Sequence, residues 1–130
     1  MATTTRGTQF WIGWGLSGLM IAFLLLDATM KLLALPEVLE ASAPLGFPGV
    51  GMAHTLGVTL IISTVLYLAP RTAVLGAILL TGYLGGAVAT HVRVGAGLFP
   101  ILFPVIIGLL VWGGIYLRDE RLRALLPLRS

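Results

Sequence analysis

The sequence contains no cysteine. That excludes disulfides, thiol redox chemistry and thiolate metal sites within the chain. It is also poor in charge. Lys, Arg, Asp and Glu make up 10% of the 130 residues, whereas a soluble domain carries about 25%. Five residues are acidic and two are histidines, and no metal site is expected among them. The net charge of +3 is modest. The basic clusters interleaved with aromatics that mark a nucleic-acid binder are missing, so no nucleic-acid partner is expected.

What the chain does contain is apolar surface. Hydrophobic residues are 58% of the total, and mean hydropathy is +1.03. A soluble core of this length could not bury so much. The composition implies one integral membrane domain over residues 1–130, with the lipid bilayer as its first partner. Four apolar runs cover about 10–30, 50–68, 73–92 and 98–117. Each matches the roughly 20 residues that one crossing needs. Unpaired backbone is not tolerated in lipid, and the runs lack strict alternation, so they read as helices. The expected fold class is all-α, a four-helix membrane bundle.

The joints carry turn chemistry. "APRT" (69–72) and "RVGAG" (93–97) read as tight turns, and "PEVLEASAPLGFPGVG" (36–51) as a loop with a short interfacial helix near Glu37–Ala41. "ASA" (41–43) resembles a signal-peptidase site, but it lies far beyond the first apolar run, with Asp27 and Lys31 between. The first run is therefore expected to be a retained span.

Four spans put both termini and the 69–72 turn on one side of the membrane. That side carries Arg6, Arg71, Arg118, Arg121, Arg123 and Arg129; the other carries Lys31 and Arg93. Basic residues favour the cytoplasm, so both termini are expected there, in a bacterial inner membrane. The tail "RDERLRALLPLRS" reads as a membrane-surface segment whose arginines lie near anionic headgroups.

The first and third spans run outward, and the second enters from outside. At about 1.5 Å per residue, Asp27 and His54 lie roughly 5 Å inside the outer boundary, with His91 slightly higher. Lys31 and Arg93 lie nearby. Charged groups in spans are costly and usually face the bundle interior in pairs. Asp27 and Lys31 have the i,i+4 spacing and the favourable order for a helical ion pair. On the third span Tyr83, Ala87, Thr90 and His91 share one flank, while Gly82, Gly85, Gly86 and Ala89 share the opposite one. Ser17, Met20, Leu24, Asp27 and Lys31 form a stripe on the first span, and His54, Gly57, Ile61 and Thr64 one on the second. The expectation is an outward-opening polar pocket made by Asp27, Lys31, His54, Tyr83, Thr90, His91 and Arg93, with no counterpart of this ionisable cluster in the inner half. The glycine flank, with its small-xxx-small pattern, is expected to be packing surface within the bundle or between copies.

Three stretches resemble a known family. They are "YLAPRTAVLGAILLTGYLGGAVATHVRVG" (67–95), "LFPVIIGLLVWGGIYLRDERLRALLPLR" (102–129) and, more weakly, "LLLDATMKLL" (24–33). The chain resembles the DoxX-like family of small four-span bacterial membrane proteins. The resemblance implies a four-helix membrane bundle and, by analogy with the subunit that names the family, a membrane component of a quinone-linked redox complex. Many members carry an acid in the second span near the position of Leu60; here His54 is the alternative polar group.

Several function classes fit these residues. One is a subunit that binds a lipid-soluble, quinone-like molecule and passes protons outward, with electrons supplied by a redox partner. A second is a non-catalytic assembly factor or scaffold for other membrane proteins, which could also self-associate through Gly82, Gly85 and Gly86. A third is a small transporter, to which a first-span carboxylate points and the charge asymmetry does not. A haem held by His54 and His91 is the least supported reading.

Overall fold

The computed structural model describes residues 2–125, with side chains from residue 7 onward. Of the basic residues weighed above, Arg129 and the side chain of Arg6 lie outside that description. Helix α1 spans Ala2–Leu32, α2 Pro36–Ser42, α3 Gly49–Leu68, α4 Ala73–Arg93, α5 Leu98–Arg118 and α6 Glu120–Leu125. A 3-10 turn, Ala43–Leu45, follows α2. Four of the helices, α1, α3, α4 and α5, are long and apolar enough to cross a membrane. The short α2 covers Glu37–Ala41, where a short helix was expected.

The four spans form a ring. Each packs on two neighbours: α1 on α3 and α5, and α4 on α3 and α5. Helices α1 and α4 therefore occupy opposite corners. Buried stripes follow helical periodicity. They are Ser17, Met20, Ile21, Leu24 and Ala28 on α1, Ala53, Leu60, Thr64 and Tyr67 on α3, Ala73, Ala77, Leu80 and Leu84 on α4, and Ile107, Val111 and Ile115 on α5. Outward positions such as Leu19, Val58, Ile62, Ile78 and Leu109 are large, apolar and exposed. That inversion of the soluble pattern is what a lipid-facing surface requires.

The bundle's close approaches use glycines, though not those of the small-xxx-small pattern. A Cβ at Gly13 would lie 2.8 Å from the Gly114 carbonyl oxygen, so α1 and α5 touch backbone to backbone. A Cβ at Gly76 would lie 2.2 Å from the Tyr67 nitrogen, fixing the α3–α4 hairpin. By contrast, Gly82, Gly85 and Gly86 have nothing within 4 Å of an added Cβ. The expectation that this flank packs inside the bundle is overturned. The buried stripe of α4 lies on the other side of the helix, and both neighbours of α4 dock there.

Helix ends follow local chemistry. Leu35 is extended (φ −60°, ψ 147°), as the residue before a proline must be. Ala34 stops α1 with φ 51°. The Ala34 amide bonds the Lys31 carbonyl and the Leu35 amide the Met30 carbonyl, a C-terminal arrangement that normally carries glycine at the left-handed position. At the other end, Asp119 Oδ1 accepts the Arg121 and Leu122 amides at 2.9 and 3.4 Å, capping α6.

Candidate functional site

At the end of the bundle where α1 stops, Lys31 donates to Asp27 one turn below it on α1, as the spacing predicted. The side chains are 16% and 35% exposed, respectively. Lys31 continues the buried stripe, so its ammonium is drawn toward the interior. An ammonium has three donors; Asp27 takes one, and Lys31 has no other hydrogen-bond partner among the described residues. Tyr83, on the opposite corner of the ring, is half-buried and packs against the core cluster. Its hydroxyl makes no hydrogen bond among the described residues.

His91 lies four residues beyond Ala87, on the line of the α4 buried stripe. Its Nδ1 donates to the Ala87 carbonyl at 2.7 Å. That bond leaves Nε2 as the free ring position, an acceptor while the ring is neutral. Thr90 donates to the Gly86 carbonyl at 2.7 Å, so its hydroxyl is spent within its own helix.

Two of the expected residues stand apart. His54 is exposed. It sits one residue, or about 100°, round the helix from buried Ala53, and it has no hydrogen bond to Asp27. Arg93 donates through Nη2 to the Leu45 carbonyl at 3.0 Å. It fastens the end of α4 to the 3-10 turn, beside Gly46, whose φ of 96° suits glycine. Asp27, Lys31, Tyr83, Thr90 and His91 are thus each part-buried, whereas His54 and Arg93 are exposed.

The inner half holds a polar assembly that sequence reading missed. Tyr67 is fully buried. Its hydroxyl donates to the Val111 carbonyl at 2.5 Å. That uses its proton, so Ser17 donates to the same oxygen at 2.9 Å. Three spans are joined at one atom. Arg118 then lies between two rings, 4.1 Å from the Trp14 centroid and 5.0 Å from that of Tyr67. Its Nη2 donates to the Tyr67 carbonyl at 3.1 Å. No ionisable cluster was expected in this half; Arg118, expected only at the membrane surface, reaches into it. Tyrosine, serine and tryptophan read as apolar or neutral in a hydropathy count, and Arg118 reads as a headgroup anchor. The one available signal was the serine in the α1 stripe.

Two surface depressions stand out, and neither is lined by Asp27, Tyr83 or His91. One, of about 260 Å³, lies at the α5–α6 elbow among Phe10, Leu117, Arg118 and Arg121. The other, of about 390 Å³, follows Trp112, Gly113, Tyr116 and Leu117.

A family profile described as the DoxX-like family matches residues 15–114, which include all four spans almost entirely. The chain belongs to the DoxX-like family. Comparison with curated proteins and with solved structures gives no match. Leu60, near the second-span position for which the resemblance implies an acid in many members, is fully buried in the core. A carboxylate there would face the bundle interior. In this protein leucine fills that place, and exposed His54 does not reach it.

Proposed function

We propose that this DoxX-like membrane protein binds a lipid-soluble, carbonyl-bearing molecule of the quinone class at the outer end of the bundle, as a membrane subunit serving a redox partner. One observation carries the reading. Lys31, held by Asp27, has two donors to spare, and the half-buried Tyr83 on α4 has a hydroxyl with no partner among the described residues. Unfilled donors inside a membrane bundle are costly, and a quinone carbonyl is an acceptor of the right kind. His91, with Nε2 free, supplies a proton acceptor between the site and the outer surface. No residue of the chain stores electrons, so these come from the partner. In this reading the termini face the cytoplasm, the membrane is the bacterial inner membrane, and the polar end opens outward.

The second reading is a scaffold for other membrane proteins. It is favoured by the glycine flank of α4, which meets nothing in the bundle and lets another helix, or a second copy, approach closely.

Native mass spectrometry of gently purified protein separates the two. The first reading expects a quinone-mass adduct on the wild-type chain, lost in Lys31→Met and kept in Gly86→Leu. A chain that carries no such adduct and co-purifies with a membrane protein released by Gly86→Leu supports the scaffold.

A further inference from the structure

The two depressions on the inner half of the bundle share a wall. Leu117 lines both, so the two adjoin at this residue and are taken together as one track. Its upper part is apolar, running past Trp112, Gly113 and Tyr116 on the flank of α5. Its lower part is polar and lies at the α5–α6 elbow, where Arg118, Arg121 and Arg123 meet. From Arg118 up to Trp112 is six residues of α5, or about 9 Å along the helix. An apolar groove of that length, open to the hydrocarbon and ending in a basic hollow at the bilayer boundary, has the shape and polarity of one lipid. We propose that it binds a single anionic phospholipid, phosphate in the elbow and acyl chain in the groove.

The charge pattern selects the headgroup. Three guanidiniums line the hollow against the carboxylates of Asp119 and Glu120, and Asp119 is occupied with the α6 amides. Arg123 is tied to the Tyr116 and Leu117 carbonyls at 2.7 and 2.8 Å through Nη1 alone. Arg118 uses Nη2 on Tyr67, while its buried Nε has no hydrogen-bond partner. Arg121 is exposed, and its side chain makes no hydrogen bond among the described residues. Each guanidinium has five donors, and exposed Arg121, which lines the hollow, keeps its side-chain donors open. Phosphate oxygens match that geometry, two donors to one group. A zwitterionic lipid would bring a choline among the arginines, which opposes it. Gly113 lines the groove. An added Cβ there would touch only the Leu16 side chain, at 3.4 Å, and a larger side chain would extend into the chain's path.

The site is at the opposite end of the bundle from Lys31 and Tyr83 and does not depend on the proposed function. Native mass spectrometry of the full chain, delipidated and incubated with equimolar phosphatidylglycerol and phosphatidylcholine of the same acyl chains, tests it. One phosphatidylglycerol adduct is expected, with little phosphatidylcholine. Arg121→Gln should cut phosphatidylglycerol retention by about fivefold, the effect of one basic residue at an anionic surface, without lowering the melting temperature in detergent. Gly113→Leu should abolish the adduct by filling the groove. Glycerol 1-phosphate and inorganic phosphate, which lack the chain, should not be retained. Equal retention of the two lipids would overturn the proposal. So would an adduct untouched by both variants, or retention of inorganic phosphate at the level of the lipid.

Discussion

Gly76→Ala and Gly86→Ala are the same chemical change on one helix, ten residues apart, and should have opposite signs. Each adds one methyl group and gains about 0.5–1 kcal/mol of helix preference relative to glycine. At Gly86 nothing lies within 4 Å of the new carbon, so that gain is the whole effect. At Gly76 the new carbon would lie 2.2 Å from the Tyr67 nitrogen and 2.5 Å from its Cα. These are main-chain atoms of the facing helix, and no side chain can swing aside. Either α3 and α4 separate near their hairpin or Tyr67 shifts from its bonds to Val111 and Ser17. Overpacking costs typically 1–3 kcal/mol, and a backbone obstacle places this case at about 3 kcal/mol. The net expectation is a loss of about 2 kcal/mol for Gly76→Ala and a gain of up to about 1 kcal/mol for Gly86→Ala. Reversible unfolding by SDS titration in mixed micelles, followed by tryptophan fluorescence, measures both. A loss at Gly86 equal to that at Gly76 would refute the reasoning, since it would mean that the glycine flank is already covered in the free protein.

Tyr67→Phe should cost about 1–2 kcal/mol in the same titration, because it leaves buried Ser17 without its partner; an unchanged midpoint would show that the three-span junction contributes nothing. Ala34→Gly should stabilise by about 1 kcal/mol, since it relieves a left-handed residue with a side chain; a loss there would mean that the end of α1 is held by something other than its backbone bonds. A periplasm-active reporter fused after Ser130 should stay inactive, as the arginine asymmetry predicts, and an active fusion would reverse the topology.

The spans were legible because hydropathy and length decide them almost alone. The α4 helix shows how far that goes. Its two flanks separate cleanly in the sequence, with Tyr83, Ala87 and His91 on one side and Gly82, Gly85 and Gly86 on the other. Which flank packs was misread, because a glycine face permits close approach without supplying a neighbour. Asp27 and Lys31 were legible as a pair because both lie on one helix, where spacing fixes distance. His54 was expected to face inward and is exposed; depth follows from counting residues, whereas facing depends on which stripe the neighbours bury. The Ser17–Tyr67–Val111 junction was not legible at all. It rests on a backbone carbonyl, which every residue has, and on three helices meeting, which no single segment encodes.

Photoaffinity labelling with an azidoquinone in proteoliposomes tests the central claim most directly. The account predicts that label competed by excess quinone maps to the α1 segment around Asp27 and Lys31 and to the α4 segment around Tyr83, and that Tyr83→Phe and Lys31→Met both reduce it. Competed label confined to the Trp112–Leu117 groove, or spread evenly over all four spans and unchanged in both variants, would contradict it.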